Sequence, residues 1–180
     1  MRFFLGLLLP LLFAACTPTL VRQGEGGAGT GNFSIEARIS VSTESERFSG
    51  RLSWMHASTR DTLRLVSPFG QVVAEIDSQP GLARLTSSDR RHFEAGSVEQ
   101  LTRDVLGYAL PVDQLAGWVR GLPGAAARVE RDARGRVSSL SEDGWAIEYE
   151  YEEGDLPVRL TVVRPGGPEL RLRIEEWHLE

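Results

Sequence analysis

Cys16 is the only cysteine of this 180-residue chain, and its neighbours favour a covalent modification. It has no partner for an internal disulfide, and it directly follows Leu12-Phe13-Ala14-Ala15. Small residues before a cysteine are typical of a bacterial lipobox, in which the thiol is diacylated and the chain is cut just before it. Two or more acyl chains hold a protein stably at a bilayer, at about 0.8 kcal/mol per buried CH₂. An ordinary cleaved leader with an incidental cysteine is the alternative.

The residues on either side of Cys16 predict a signal peptide and a tether. Arg2 and the uncharged run 3–15 have the pattern of a secretory signal over residues 1–15, because the run is shorter than the roughly 20 residues that span a bilayer. The residue after the cysteine is Thr17 and not Asp, which favours the outer membrane by the lipoprotein sorting pattern that this region resembles. The glycine-rich segment 16–31 predicts a flexible tether. A folded domain over 32–180 is then expected to hang from the membrane and face the periplasm.

The sequence contains no catalytic or metal-binding motif, which predicts a protein that is not an enzyme and needs no cofactor or metal. Its histidines lie far apart, at His56, His92 and His178. Neither a G-x-S-x-G elbow nor a Walker-type loop occurs. Glu148, Glu150 and Glu152 alternate along one stretch and are better explained as a solvated strand face. A hydrolase whose serine, histidine and aspartate meet only in space stays open as an alternative.

The charge balance argues against a nucleic-acid partner. The formal net charge is −5, and all 20 basic residues are arginine. A domain that binds nucleic acid needs a basic face, which this balance does not favour. The length is enough for one domain with its own hydrophobic core.

Apolar residues occupy every second position along most of the chain after residue 32, a pattern that predicts β-strands. The alternating sets begin at Phe33, Phe48, Leu63, Val72, Leu82, Val129, Val137, Trp145, Val158 and Leu170. About ten short strands joined by tight turns predict one antiparallel sheet with one apolar face. Because strands twist, so long a sheet curls. The expected fold is mainly β, an incomplete barrel whose concave face must be covered.

Two stretches in the middle of the chain interrupt the alternation and predict helices. The range 97–100 reads Ser-Val-Glu-Gln and resembles a capping box. In the range 107–124 the apolar residues fall three and four apart, so that Leu115, Trp118 and Val119 share one helical face. Two short helices can cover the concave face of the sheet as a lid, but they are too few to fill the space beneath them.

The space under these helices is predicted to be an apolar cavity that binds a greasy ligand, because ligand sites are mostly apolar concavities. The candidate lining residues are Trp54, Leu63, Leu65, Trp118, Trp145, Ile147, Tyr149 and Leu160. In the alternative, Trp54, Trp145 and Tyr149 fill the space completely. The protein would then be a structural or assembly lipoprotein that packs on a protein partner.

The turn at residues 67–71 carries an aromatic residue where a turn is usually polar. Pro68 and Gly70 fit a tight turn between two strands, yet Phe69 stands between them. Either the ring folds back onto the sheet, or it stays exposed and enters a bilayer or the acyl chains of a passenger. An aromatic side chain inserts readily at a membrane interface.

The order of motifs along the chain resembles the LolB family of outer-membrane lipoproteins. The matching stretches are the lipobox Cys16, FSGRLSW at 48–54, SPFG at 67–70, QPG at 79–81, the pattern LG-x-x-LPV-x-x-L-x-x-W-x-x-GLPG at 106–124, DGW at 143–145, LP at 156–157 and the closing Trp177. They cover nearly the whole mature chain, and the 106–124 pattern is the most specific.

The resemblance implies a fold, a partner and a role. It implies an incomplete antiparallel barrel, covered by helices, with an apolar cavity for lipoprotein acyl chains. A LolA-like periplasmic carrier would deliver lipoproteins to the protein, which would insert them into the outer-membrane lipid and act as a monomer. Phe69 stands where the family has an exposed apolar loop residue, usually Leu, that places the cargo in the membrane.

Overall fold

A computed structural model describes residues 31–180 of the chain. The signal peptide predicted over 1–15, the lipidated Cys16 and all but the last residue of the tether 16–31 lie outside the described residues. Neither helix in the described part of the chain is long and apolar enough to cross a membrane.

Eleven strands and two helices make up this part of the chain. In chain order they are β1 (Phe33–Ser42), β2 (Arg47–Ala57), β3 (Arg60–Val66), β4 (Val72–Gln79), β5 (Leu82–Ser87), β6 (His92–Ala95), α1 (Val98–Leu106), α2 (Val112–Trp118), β7 (Arg128–Arg131), β8 (Val137–Glu142), β9 (Trp145–Glu150), β10 (Arg159–Val163) and β11 (Glu169–Leu179).

All the strands belong to one antiparallel sheet, in the order β6-β5-β4-β3-β2-β1-β11-β10-β9-β8-β7. The chain starts at the centre with β1, runs outward to β6, passes through both helices and returns from β7 to β11 beside β1. The edge strands β6 and β7 do not pair, so the sheet is not closed into a barrel. The predicted incomplete barrel is therefore confirmed. The sequence prediction missed β6, since four residues are too few to show a period of two.

Both helices form where the sequence predicts them, and local capping explains their ends. At the start of α1 the Ser97 hydroxyl accepts the Gln100 N–H at 3.2 Å, and Gly107 ends the helix with a left-handed backbone, φ 81°. In α2 the predicted apolar face is buried, including Leu115 and Trp118. α1 contacts β5 and β6, and Trp118 of α2 lies against Trp145 of β9, so the two helices cover different halves of the sheet.

The hydrophobic core lies between the sheet and the two helices. It runs without a break from Phe33 on β1 to Ile174 on β11 and includes residues of both helices. The core residues of the described range form one connected cluster, and we expect residues 31–180 to fold on their own. The opposite face of the sheet carries charged and small polar side chains, as the alternation predicts.

Gly50, near the start of β2, is required by the close approach of its neighbours. A Cβ there would overlap the carbonyl oxygen of Val66 and lie 2.8 Å from the Phe48 ring. The pairing of β3 with β4 also shifts register between Leu65 and Val66. Replacing Gly50 with alanine should therefore lower the free energy of unfolding by about 1–3 kcal/mol, the usual cost of overpacking.

Urea unfolding of the 31–180 protein measures this effect. Gly154→Ala is the matched control, because a Cβ at Gly154 meets no atom within 4 Å. The control should unfold at the same urea concentration as the parent protein. An unchanged midpoint for Gly50→Ala would show that the strand moves aside at no cost, contrary to the prediction.

Candidate functional site

A cavity of about 290 Å³ lies between the helices and one half of the sheet. Strands β1 to β5 and β11 contribute Ile39, Val41, Phe48, Leu52, Trp54, Leu63, Leu65, Val73, Ala74, Ile76, Leu85, Leu170 and Leu172. The helices and the segment between them contribute Thr102, Leu106, Tyr108, Leu110, Val112 and Leu115. The lining is almost entirely apolar, which suits a hydrocarbon ligand and offers few groups to recognise a polar one.

The exposed lining residues mark the open end of the cavity. They are Glu46 and Arg47 in the first hairpin and Leu106 at the end of α1. Tyr108 lies near them, and its burial, together with the negative charge of Glu46, raises the pKa of its hydroxyl. The phenol therefore stays neutral at ordinary pH and can lie against an apolar ligand without bringing a charge into the cavity.

The buried Thr102 hydroxyl in the lining is fully used by the fold. It donates to the Val98 carbonyl oxygen and accepts the Leu110 N–H, both at 2.9 Å. These two bonds tie the segment after α1 back onto the helix, so they hold Leu110 against the cavity. Since its polar atoms are satisfied, Thr102 presents only its methyl group as a further apolar surface.

Trp54 is the one indole that lines the cavity, and a buried network fixes its orientation. Its Nε1–H donates to Asp61 at 2.8 Å, and Nδ1 of His56 lies 2.8 Å from the same carboxylate oxygen. The Phe33 ring packs against both, with centroid separations of 5.3 Å to Trp54 and 5.0 Å to His56. The indole nitrogen is thus satisfied by Asp61, which does not line the cavity, and an apolar part of the ring system faces the cavity.

The structure places three of the eight predicted lining residues on the cavity: Trp54, Leu63 and Leu65. The other five are buried in the core but do not line it: Trp118, Trp145, Ile147, Tyr149 and Leu160. These five residues belong to the packed core of the fold in this structure and not to the cavity wall. Trp118 of α2 fills the space over the second half of the sheet, the half that includes β8 and β9. Its ring lies 6.2 Å from that of Trp145 on β9. The alternative in which aromatic side chains fill the space under the helices therefore applies only to this half of the sheet.

A hydrogen-bond network explains why the second half is closed. The Trp118 indole N–H donates to Glu142 at 2.8 Å, and the Gly124 N–H donates to the same carboxylate oxygen at 3.3 Å. A Cβ at Gly124 would overlap that carboxylate. The tryptophan and the last glycine of the 106–124 pattern thus hold α2 down on β8 and keep its tryptophan in the core.

Residues that sequence reasoning missed complete the cavity, mainly Ile39, Ile76 and Leu85 on the strands and Leu110 and Val112 near α2. The alternation of β1, β4 and β5 shows that their apolar residues face inward. It does not show which part of the curved sheet the helices leave uncovered, because that depends on where the bulky side chains of α2 pack.

The turn between β3 and β4 holds Phe69 in water. The Gly70 N–H donates to the Ser67 carbonyl at 2.9 Å, the Ser67 N–H donates to Gln71 at 2.8 Å, and Gly70 has a φ of 83°. The Phe69 side chain is 91% exposed, so it does not fold back onto the sheet. β1 ends, β2 begins, β3 ends and β4 begins at the same end of the sheet, which places this turn at the end where the cavity opens.

The histidines do not form a catalytic or metal site with one another. Besides His56 in the Trp54 network, His92 lies 3.1 Å from the Thr86 hydroxyl and His178 lies 3.6 Å from Glu176. Among residues 31–180, no group of three or more His, Cys, Asp or Glu side chains is arranged to hold a metal ion.

An open sheet, a helical cover and an apolar cavity define this chain as a half-barrel protein with a lidded hydrophobic pocket. Residues 31–177 match the family model "Outer membrane lipoprotein LolB". The chain is 35% identical to the outer-membrane lipoprotein LolB of Dechloromonas aromatica, over 98% of both chains. It is also 35% identical to that of Azoarcus sp. strain BH72, over 94% of this chain and 90% of the relative. The chain therefore belongs to the LolB family.

A solved structure has a similar fold at a much lower sequence identity. It is that of a LolA superfamily protein from Nitrosomonas europaea, with a TM-score of 0.51 and 10% identity over 84% of this chain and 87% of that one. At this identity the likeness concerns the fold alone.

Proposed function

We propose that this LolB-family protein is an outer-membrane acceptor of lipoproteins. It receives them from a LolA-like periplasmic carrier, binds their acyl chains in the apolar cavity and inserts them into the outer membrane. The observation that carries the proposal is the open apolar cavity under the helices. Its relatives are named outer-membrane lipoproteins, and the lipobox at Cys16 supports an anchored protein that faces the periplasm. The proposed role needs no catalytic step, cofactor or second copy of the chain.

The size of the cavity limits what it can hold. Its volume of about 290 Å³ is at the lower end of known small-molecule sites, which span about 300–1,000 Å³. A space of this size suits a stretch of one acyl chain. A lipoprotein with several chains would leave part of its hydrocarbon at the open end, near Leu106 and Tyr108.

Transfer from the carrier can proceed without an energy source if the acceptor holds the chains somewhat better. Two additional buried methylenes contribute about 1.6 kcal/mol, which shifts the equilibrium more than tenfold. A modest difference in lining between two related cavities is therefore enough to set the direction.

Co-purification of the 31–180 protein with a radiolabelled lipoprotein tests the proposal. We expect a complex with the acylated lipoprotein after incubation with a loaded carrier. The matched control is the same passenger without its acyl chains, which should not be retained. Failure to retain the acylated passenger, or equal retention of both forms, would favour an anchored scaffold that binds protein surfaces.

A further inference from the structure

The face of the sheet opposite the cavity carries a row of four arginines on adjacent strands. Arg51 of β2 is paired with Arg38 of β1, Arg38 with Arg173 of β11, and Arg173 with Arg159 of β10. All four are exposed. Like charges directly opposite each other in a sheet are destabilising. These strands are central, so the charges do not serve to protect a sheet edge from aggregation.

Ion pairs within the chain neutralise the row only in part. Arg38 contacts Glu175 at 2.7 Å, and Arg159 contacts Glu150 at 2.6 Å. Within the described range 31–180, Arg51 and Arg173 form no ion pair. The four arginines of the row have only two carboxylate partners. An excess of positive charge therefore remains there, although the whole chain has a net charge of −5. An external anion would remove this repulsion.

The row lies in a shallow depression that reaches the Phe69 turn. The depression has a volume of about 850 Å³ and is lined by the four arginines, by Arg171 and by Pro68, with Glu150 as its one acidic residue. Pro68 precedes Phe69 in the turn, and Arg51 is paired with Val66, the last residue before that turn. The positive surface is therefore continuous with the base of the exposed aromatic tip.

We propose that this arginine depression binds the phosphate groups of anionic lipid headgroups when the Phe69 turn meets the membrane. Guanidinium groups are planar forks that bind phosphate oxygens in pairs. Basic residues beside an aromatic side chain that enters the interface are a common way to hold a protein on a lipid surface. An acidic protein would complement the arginines equally well, but it would not explain the apolar tip beside them. The inference rests on the proposed function only in taking the membrane as the place of delivery.

Co-sedimentation of the 31–180 protein with vesicles tests this site without any cargo, so its outcome is independent of acyl-chain binding. The vesicles contain phosphatidylethanolamine with phosphatidylglycerol. The test variant combines Arg51→Gln and Arg173→Gln, the two arginines without an ion pair. We expect affinity to fall roughly fivefold for each arginine and about twenty-five-fold for the pair, by the usual contribution of a basic residue near an anionic surface. Binding of the parent protein should weaken as salt is raised.

The control variant combines Arg103→Gln and Arg128→Gln, which change the net charge equally but lie on α1 and β7, outside the depression. It should lose less than about twofold, since a surface charge away from the contact acts only through the screened field. Circular dichroism should show the same fold for all three proteins.

Other outcomes would overturn the proposal. Equal losses in the test and control variants would reduce it to a general charge effect. Displacement of the protein from vesicles by millimolar inorganic phosphate would show a site for the free ion. Normal vesicle binding by the test variant, with loss of transfer from the carrier, would assign the surface to the carrier protein.

Discussion

Replacing Phe69 with glutamate is expected to leave acyl-chain binding intact and to slow membrane insertion of cargo about tenfold to a hundredfold. The side chain is 91% exposed, so the substitution removes no contact within the fold. Burying a phenyl ring in an apolar medium is worth about 1.5–3 kcal/mol, which corresponds to that range of rates if the ring is inserted in the rate-limiting step. A carboxylate at the same place resists insertion altogether.

The measurement is the rate at which a radiolabelled lipoprotein passes from the 31–180 protein to vesicles. Met55→Glu is the matched control, because Met55 is 62% exposed on β2 and lies away from the turn. It makes the same chemical change and should insert cargo at the parent rate. Phe69→Leu, which keeps an apolar tip, should retain most of the activity. A normal rate for Phe69→Glu would remove the turn from the mechanism.

The turn, the cavity opening and the arginine depression make one consistent arrangement. The opening with Glu46 and Leu106 is on the concave side of the sheet, and the depression with Arg51 is on the opposite side. Phe69 lies between them, at one end of the sheet. If the arginines meet headgroups while the ring enters the interface, the cavity opens toward the bilayer. An acyl chain then has a short path from the protein into the lipid.

The architecture could be predicted from sequence because its signals are local. A period of two defines ten of the eleven strands, and Ser97 and Gly107 mark the ends of α1 by their capping chemistry. The single open sheet then follows from strand number and twist. Strand β6 was missed because Phe93 and Ala95 are its only apolar residues, and two residues define no period.

The site could be predicted only in part, because it depends on contacts between distant elements. Alternation correctly predicted that Trp54 and Trp145 face inward, yet one lines the cavity and the other packs under Trp118. The Trp118 indole, which donates a hydrogen bond to Glu142, covers Trp145, and no local pattern in the sequence indicates that contact. The exposure of Phe69 was likewise undecided, since the composition of the turn suits a ring that folds back as well as one that points outward.

Filling the cavity from Ala74 is expected to weaken acyl-chain binding strongly while the fold is kept. Ala74 of β4 lies on the lining beside Leu65, with which it is paired across the strands. A phenyl ring at this position would occupy space that about three methylenes of a ligand would otherwise fill. Their loss costs about 2.4 kcal/mol, or roughly fiftyfold in the dissociation constant. Ala74→Leu adds a smaller side chain and should give an intermediate loss.

A fluorescent fatty-acid probe titrated into the 31–180 protein measures this effect, with circular dichroism as the check on folding. Ala146→Phe is the matched control, because Ala146 lies between the inward-facing Trp145 and Ile147 and so faces the other side of β9. It should bind the probe as the parent does. A graded loss from alanine through leucine to phenylalanine at position 74 would follow directly from competition for one space. Parent-like binding by Ala74→Phe would mean that acyl chains bind outside the cavity, and the acceptor role would then lose the observation that carries it.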